Sequence, residues 1–253
     1  MKQNNIQIPE GYKNSPLGII PNDWEVKKLG ILCQLKSGQD LIPESYSDTI
    51  GKYPYITGAS SLCDHSGIIF NRWTDTPTSI AIKGDILLVC KGSGVGRLTI
   101  LDNAAEAHIA RQIMSIRPKI DVERDYLYSQ LKLLVDSIKK RARGVIPGIY
   151  RGSILALKIL LPSLPQQQKI AEILRTWDEA IEKQSTLIDK LTERKRGLMQ
   201  QLLTGKKRLA GFNEKWKEVE LGKICERVLR KNTEKNHNIV TISAQQGFVS
   251  QKD

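Results

Sequence analysis

The stretch over residues 165–204 constrains the fold of this chain more than any other part of the sequence. Its seam positions advance by four and three residues in turn, and eight of the ten are apolar. A sustained period of about 3.5 residues is typical of a helix that packs along a second helix as a coiled coil. The eight apolar positions are Ile170, Leu174, Trp177, Ile181, Ile188, Leu191, Leu198 and Leu202.

Residues 165–204 therefore predict one long helix, with two possible surroundings. Pro165 suits a first helical turn and Gly205 the position just past the end. At a rise of ~1.5 Å per residue such a helix is about 60 Å long, which is more than one small domain can cover. An amphipathic helix packed along its own domain is the simpler interpretation. We favour a spacer whose apolar stripe meets another long helix.

The distribution of charge separates this helix from its flanks. The chain of 253 residues carries a net charge of +12, with a pI near 9.5, which points to a polyanionic partner such as nucleic acid. Residues 165–204 contribute only +1, whereas residues 83–151 contribute +6 and residues 205–235 contribute +5. We therefore expect the helix to bind protein and its flanks to bind DNA or RNA.

Composition narrows the class of protein further. No apolar run approaches the ~20 residues of a membrane span, and the first ten residues are polar, so we expect a cytoplasmic protein without a membrane segment. Four scattered cysteines and three histidines predict reduced core cysteines, no metal site and no cofactor. The adjacent Cys63, Asp64 and His65 are an unsuitable ligand set, because three neighbouring residues rarely converge on one ion.

The part before the long helix reads as an irregular β-rich domain with one flanking helix, which predicts the α+β class. Strands are expected over residues 80–82, 85–90, 98–101, 112–117 and 153–161, and a helix over residues 122–141. The apolar run within residues 85–90 implies a strand that is buried on both faces.

A glycine-rich loop over residues 91–97 is the first candidate for chemistry. It is neither a Walker A loop nor a dinucleotide fingerprint, because no Gly-Lys-Ser/Thr ends it and no helix follows. One interpretation is a tight turn that requires positive φ. The other is an exposed loop that approaches phosphates or base edges with Lys91, Ser93 and Arg97, of which Arg97 is the favoured base reader.

Basic residues at the end of the predicted helix form a second candidate. Cations at a helix C-terminus are partly explained by the helix dipole, but a cluster without an acid also suits phosphate contacts. A following loop adds a Tyr-Arg pair. The candidate residues are Lys139, Lys140, Arg141, Arg143, Tyr150 and Arg151.

A short internal repeat brackets the long helix. Trp, Leu, Gly and Cys recur at identical offsets, beginning at Trp24 and again at Trp216, 192 residues later. The repeat predicts that a second copy of the first domain begins near Phe212. Since residues 205–253 are too few to rebuild a domain of residues 1–164, the second copy is expected to be incomplete.

These motifs together resemble the specificity (S) subunits of type I restriction–modification systems. Residues 15–30 are similar to the start of a target-recognition domain in that family, and residues 84–87 add the segment before the glycine loop. Residues 159–171 are similar to the entry into the long helix, and residues 209–212 to the lead-in of the second domain.

The resemblance implies a non-catalytic subunit that reads double-stranded DNA. In the family, two target-recognition domains alternate with two helices, which pair antiparallel and hold methyltransferase subunits, and through them restriction subunits. This sequence offers residues 1–164 as one recognition domain, 165–204 as one helix and 205–253 as the start of a second domain. An identical helix from a second chain would complete the pair, and the homodimer would read a bipartite target.

Two other functional classes compete with this interpretation. A DNA methyltransferase, translocase or nuclease is disfavoured, because the sequence lacks the Asn/Asp-Pro-Pro-Tyr/Phe, Walker A and Pro-Asp…Glu-x-Lys motifs. The alternative that stays open is a coiled-coil structural or regulatory protein that binds DNA non-specifically and has no role in methylation.

Overall fold

Short strands, short helices and one long helix make up the chain. The α+β class predicted from the sequence is confirmed. Among the residues described, no helix combines the length and the apolar character that a membrane span requires. The computed structural model describes residues 8–63, 67–92, 94–140, 148–227, 240–243 and 247–250.

The helices are α1 Leu29–Leu32, α2 Arg124–Leu133, α3 Val135–Lys139, α4 Arg151–Leu155, α5 Leu164–Leu202 and α6 Leu221–Ile224. The strands are β1 Tyr12–Ser15, β2 Gly18–Pro21, β3 Glu25–Lys28, β4 Cys33–Ser37, β5 Tyr53–Ile56, β6 Leu62–Cys63, β7 Gly67–Ile68, β8 Trp73–Thr74, β9 Ile80–Ile82, β10 Ile86–Val89, β11 Leu98–Ile100, β12 Glu106–Ile109, β13 Ile113–Pro118, β14 Lys158–Leu161, β15 Val240–Ser243 and β16 Gly247–Ser250.

The chain forms two compact units, residues 1–189 and residues 190–253. The first is built on two four-stranded sheets, in strand order β11-β10-β13-β4 and β8-β5-β12-β9. The first sheet is antiparallel throughout, and the second contains the parallel pair β5–β12. In the second unit, β15 and β16 form an antiparallel pair. β10 and β13 are the central strands of the first sheet.

β10 is the strand on which the core of the first unit is organised. Ile86 and Leu88 lie in one hydrophobic cluster, with α2 side chains such as Leu127. Leu87 and Val89 lie in the other, with residues of β5 and β12. All four β10 side chains are fully buried, which confirms the prediction of a strand covered on both faces. Side chains of a strand alternate between its faces, so only a continuous apolar run satisfies both clusters.

Two predicted elements differ from the structure. The helix expected over residues 122–141 is broken at Leu134, whose backbone (φ −89°, ψ 2°) lies outside the helical region and separates α2 from α3. The strand expected over residues 153–161 is wrong in its first half, where α4 stands before β14. Ile154 of α4 is fully buried, so the apolar residues of this segment belong to a short helix that packs on the core.

The internal repeat corresponds to a repeated local structure. α1 and α6 are both four residues long, and each begins after an extended residue and ends at a cysteine whose N–H donates to the carbonyl of the first helical residue. In the first copy a Cβ atom at Gly30 would lie 3.3 Å from the Leu155 Cβ, so glycine permits the close approach of α4. Among the residues described, none comes within 4 Å of the equivalent position at Gly222. Leu221 in this second copy is 71% exposed, whereas Leu29 in the first is fully buried.

The cysteines are in part core residues, as predicted. Cys33 and Cys90 are buried free thiols, and burial raises the pKa of Cys33 to about 11, which keeps that thiol protonated. Cys225 is exposed and departs from the prediction. Asp64 and His65 lie outside the described residues.

Candidate nucleic-acid interface

Three segments of the first unit meet at one end of β10. Because β10 and β13 are antiparallel, the residues after β10 lie beside those before β13. The Cys90 N–H donates to the Gln112 carbonyl at 2.7 Å, and the Ile149 N–H donates to the Cys90 carbonyl at 2.8 Å. Lys91 and Gly148 form an isolated antiparallel bridge. These main-chain bonds fix the three segments against one another.

A cleft of about 440 Å³ opens between these segments. Lys91 and Arg111 supply cationic side chains to it, and Tyr150, which is 72% exposed, supplies an aromatic ring. Exposed cations beside an exposed ring suit a ligand that combines phosphates with planar bases. The cleft is lined by Lys91, Gly92, Arg111, Gln112, Gly148, Ile149 and Tyr150.

The glycine-rich loop beside the cleft is a tight turn. Gly92 and Gly96 have φ values of +87° and +89°, so the positive-φ interpretation of the sequence is confirmed at both positions. A Cβ atom at Gly96 would lie 2.9 Å from the Lys139 Cγ and 3.3 Å from the Val135 Cγ2. Glycine therefore lets α3 pack on the loop, and the exposed Lys139 stands beside it.

Arg97 makes contacts within the first unit. Its Nη1 donates to the carbonyls of Ala59 and Leu62, each at 2.8 Å, and the side chain is half-buried. The guanidinium thus ties the loop to a short 3-10 turn at Ala59–Ser61. These bonds give Arg97 a role in positioning the loop, and its contact to a base stays a prediction.

Two other predicted DNA-contacting residues are exposed but do not line the cleft. Lys140 is exposed just after α3, and Arg151 is exposed at the first position of α4 without lining the cleft. Of the predicted set, Lys91 and Tyr150 are the two that the cleft brings together. Ser93, Arg141 and Arg143 lie outside the described residues.

Arg111 is held in place by a carboxylate. Its Nε lies 2.8 Å from the Asp40 Oδ2, and its backbone N–H donates to the Asp40 Oδ1 at 3.0 Å. The Arg111 side chain is 69% exposed, so the contribution of this pair to stability is small. Its effect is to orient the guanidinium at the edge of the cleft.

His108 supports the segment that carries Asp40. It is fully buried, its Nε2 lies 2.8 Å from the Gln39 carbonyl, and its Nδ1 accepts the N–H groups of Thr78 and Ser79. Because a carbonyl can only accept and an N–H can only donate, the ring is neutral with its proton on Nε2. Burial is the main cause that lowers the pKa of His108, partly offset by its hydrogen bond to Gln39.

This lowered pKa predicts a loss of stability on mild acidification. At pH values between the native pKa of His108 and the unfolded value of about 6.5, the unfolded chain binds a proton at this residue and the native chain does not. The free energy of unfolding therefore falls as pH falls below about 6.5. We expect the melting temperature to drop from pH 7 to pH 5, and His108→Gln, which cannot be protonated, to show a smaller drop. Equal drops for both proteins in thermal melts would contradict the assignment.

The long helix is anchored to the first unit through glutamines of its first turns. The Gln167 side chain, 1% exposed, accepts the Glu123 N–H at 2.9 Å and donates to the Pro162 carbonyl at 2.9 Å. Gln166 Nε2 donates to the Asp23 Oδ2 at 2.9 Å. These polar contacts fix where α5 begins on the first unit.

Beyond this anchor the apolar stripe of α5 is exposed. Within the described part of the helix only Gln167 and Ala171 are buried, so the arrangement in which the helix packs along its own domain is wrong. Predicted seam positions such as Trp177, Ile181 and Ile188 are 67%, 62% and 61% exposed. The sequence prediction omitted further exposed apolar residues that widen the stripe, namely Ile173, Leu187, Met199 and Leu203.

Residues 21–193 match the family model of the type I restriction modification DNA specificity domain. This match spans well over half of the chain, including the cleft and most of α5. The chain belongs to that family. Within the matched specificity domain lie Lys91, Arg111, Gln112 and Tyr150, so the cleft is part of the family's domain and not of an appended segment.

Relatives of the specificity domain are similar over most of this chain. The specificity subunit of the type I restriction enzyme MjaVIII from Methanocaldococcus jannaschii is 29% identical over 210 residues, which are 82% of this chain and 47% of that one. The specificity subunit of EcoDI from Escherichia coli is 26% identical over 188 residues, 74% of this chain and 38% of that one. This chain thus spans less than half the length of either relative.

The fold of the specificity domain is also similar to that of a solved structure. The HsdS subunit from Thermoanaerobacter tengcongensis superposes with a TM-score of 0.58 at 23% identity, covering 72% of this chain and 43% of that one. At this level of identity the superposition shows that the two proteins share a fold.

Two polar side chains of the specificity domain's cleft, Arg111 and Gln112, were not predicted from the sequence. The available signal was a polar pair between the apolar residues Ala110 and Ile113. That pair reads as an ordinary turn, because its position beside Lys91 follows from the pairing of β10 with β13 and not from local sequence.

Proposed function

We propose that this chain is the non-catalytic DNA-recognition subunit of a type I restriction–modification complex, and that it directs methyltransferase and restriction subunits to a target. The observation that carries the proposal is the cleft of the specificity domain, where Lys91, Arg111 and Tyr150 converge. No cofactor is needed for this role, because reading DNA requires only contacts to phosphates and base edges. A cytoplasmic location remains a prediction.

Phosphate contacts in this proposal come from the cations around the cleft. Lys139 stands at the end of α3 beside the glycine loop, Lys140 follows it directly, and Arg151 stands at the start of α4. Arg141 and Arg143 are assigned the same role from the sequence alone. Contacts of this kind set affinity and register but carry no sequence information.

The phosphate role of Lys140 has a measurable consequence. Lys140→Ala is expected to weaken binding of the full chain to every duplex sequence and to reduce the slope of log affinity against log salt by about 0.9, because one fewer counterion is released. If both proteins bind equally at 1 M salt, this difference in slope lowers the affinity of the variant about eightfold at 0.1 M salt. Fluorescence anisotropy between 50 and 300 mM salt measures both. Lys158→Ala, the same change at an exposed position of β14, is the control; equal slopes for the two variants would contradict the assignment.

We further propose that α5 pairs antiparallel with α5 of a second copy. The support is the exposed stripe of large apolar residues, since contiguous apolar surface of this kind marks an interaction site. A twofold axis through such a pair sets two identical recognition domains at opposite ends, which suits a bipartite target. The same helices are assigned to dock the methyltransferase subunits.

The competing function is a coiled-coil structural or regulatory protein that binds DNA without sequence preference. Selection from a random duplex pool by the full chain with its methyltransferase subunits separates the two. A single enriched motif is expected from a specificity subunit, and an unenriched pool from the alternative.

A further inference from the structure

We propose that Gln112 reads an adenine in the target through its side-chain amide. The inference rests on the proposed function and deepens it, because it assigns one base-reading residue and the base that it recognises.

The backbone of Gln112 is fixed while its side chain faces the cleft. Gln112 stands in the turn between β12 and β13, and its carbonyl accepts the Cys90 N–H at 2.7 Å and the Cys90 Sγ–H at 3.2 Å. The residue is exposed and lines the cleft. A reading side chain needs such a rigid origin, because loose positioning would blur discrimination between bases.

One glycine makes room for the amide. A Cβ atom at Gly58 would lie 2.6 Å from the Gln112 Oε1, whereas one at Gly92 would make only an ordinary contact at 3.9 Å. A side chain at Gly58 would therefore displace the amide. Within the described ranges, the amide makes no hydrogen bond to another group, so both its donor and its acceptor are available to a ligand.

The chemistry of the amide fits adenine. Its carbonyl and NH₂ groups lie side by side and match the N6–H₂ donor and N7 acceptor of adenine in the major groove, as a bidentate pair. The neighbouring groups suit other roles. Asp40 engages the Nε of Arg111, a cation whose donors suit phosphate or guanine, and the Lys91 ammonium is a point charge that favours phosphate. Gln112 is the cleft residue whose adjacent acceptor and donor match adenine.

The test uses the full chain with its methyltransferase subunits and the duplex motif obtained by selection. Each adenine of the motif is replaced in turn by 7-deazaadenine, which removes the N7 acceptor and keeps the base pair. At one position this change is expected to weaken wild-type binding about tenfold and to leave the affinity of Gln112→Ala unchanged. Equal losses for both proteins at every adenine would overturn the proposal, as would a motif without adenine.

Further variants separate this inference from the proposed function. Gln112→Glu, of nearly the same shape, is expected to lose affinity at the same adenine at least fivefold and to keep the wild-type melting temperature, because a carboxylate cannot donate to N7. Lys91→Ala is expected to weaken all sequences alike. If wild-type protein enriches no motif, the proposed function fails; if it enriches one that Gln112→Ala and Gln112→Glu read unchanged, only the assignment of Gln112 fails.

Discussion

Ile181→Asp combined with Ile188→Asp is expected to abolish self-association of the chain without unfolding it. Both side chains are more than 60% exposed, so the substitutions remove no core of the chain itself. In a twofold helix pair they would place four carboxylates in an apolar seam and remove four buried side chains worth about 1.5 kcal/mol each. The dissociation constant is expected to rise more than about 1,000-fold. Sedimentation velocity at micromolar concentration measures the change.

A matched control keeps this experiment specific to the stripe. Lys183→Asp with Lys190→Asp adds the same number of carboxylates two residues further along, on the side of the helix away from the seam. This control is expected to associate as the wild type does. A wild-type chain that stays monomeric, both alone and with its methyltransferase subunits, would contradict the pairing of two α5 helices.

Asp85→Ala is expected to lower the free energy of unfolding by about 3 kcal/mol. The carboxylate, 1% exposed, accepts Arg117 Nε at 2.7 Å and Nη2 at 2.9 Å, Ser115 Oγ at 2.7 Å and the Ile82 N–H at 3.0 Å. Its removal leaves the N–H and the hydroxyl without their partner beside β10 and β13. Because Arg117 is 39% exposed and can reach water, we expect the lower end of the range for broken buried pairs.

Chemical denaturation followed by tryptophan fluorescence measures this loss. The control is Asp102→Ala, which removes an ion pair with Arg124. The Asp102 side chain is 55% exposed and the Arg124 side chain 35%. Surface pairs contribute little, so the expected loss there is below about 1 kcal/mol. Similar losses for Asp85→Ala and Asp102→Ala would show that the buried carboxylate does not organise the sheet.

The elements that the sequence specified locally were predictable. The apolar run of β10 predicts a strand that is covered on both faces. The heptad spacing of α5 predicts where a long helix runs and which of its residues form the apolar stripe. Each pattern is a direct consequence of backbone periodicity. The structure shifts the ends of α5 by one residue at the start and two at the end, from 165–204 to Leu164–Leu202.

Features set by tertiary contacts were not predictable. The sequence shows Arg97 at the end of an exposed-looking loop, but carbonyls at Ala59 and Leu62 turn its guanidinium inward. Conversely, Gln112 enters the cleft only because β13 pairs with β10, about twenty residues away along the chain. Neither relation follows from a local motif, which is why the predicted DNA-contacting set included Lys91 and Tyr150 of the cleft but not Arg111 or Gln112.

Under the proposed function, this chain supplies the sequence specificity of a methyltransferase. The most direct test expresses the chain together with its methyltransferase subunits and maps methylated positions across the genome by sequencing. We expect methylation that is confined to one motif, lost when this chain is omitted and altered by Gln112→Glu. Methylation at the same motif in the absence of the chain would contradict it.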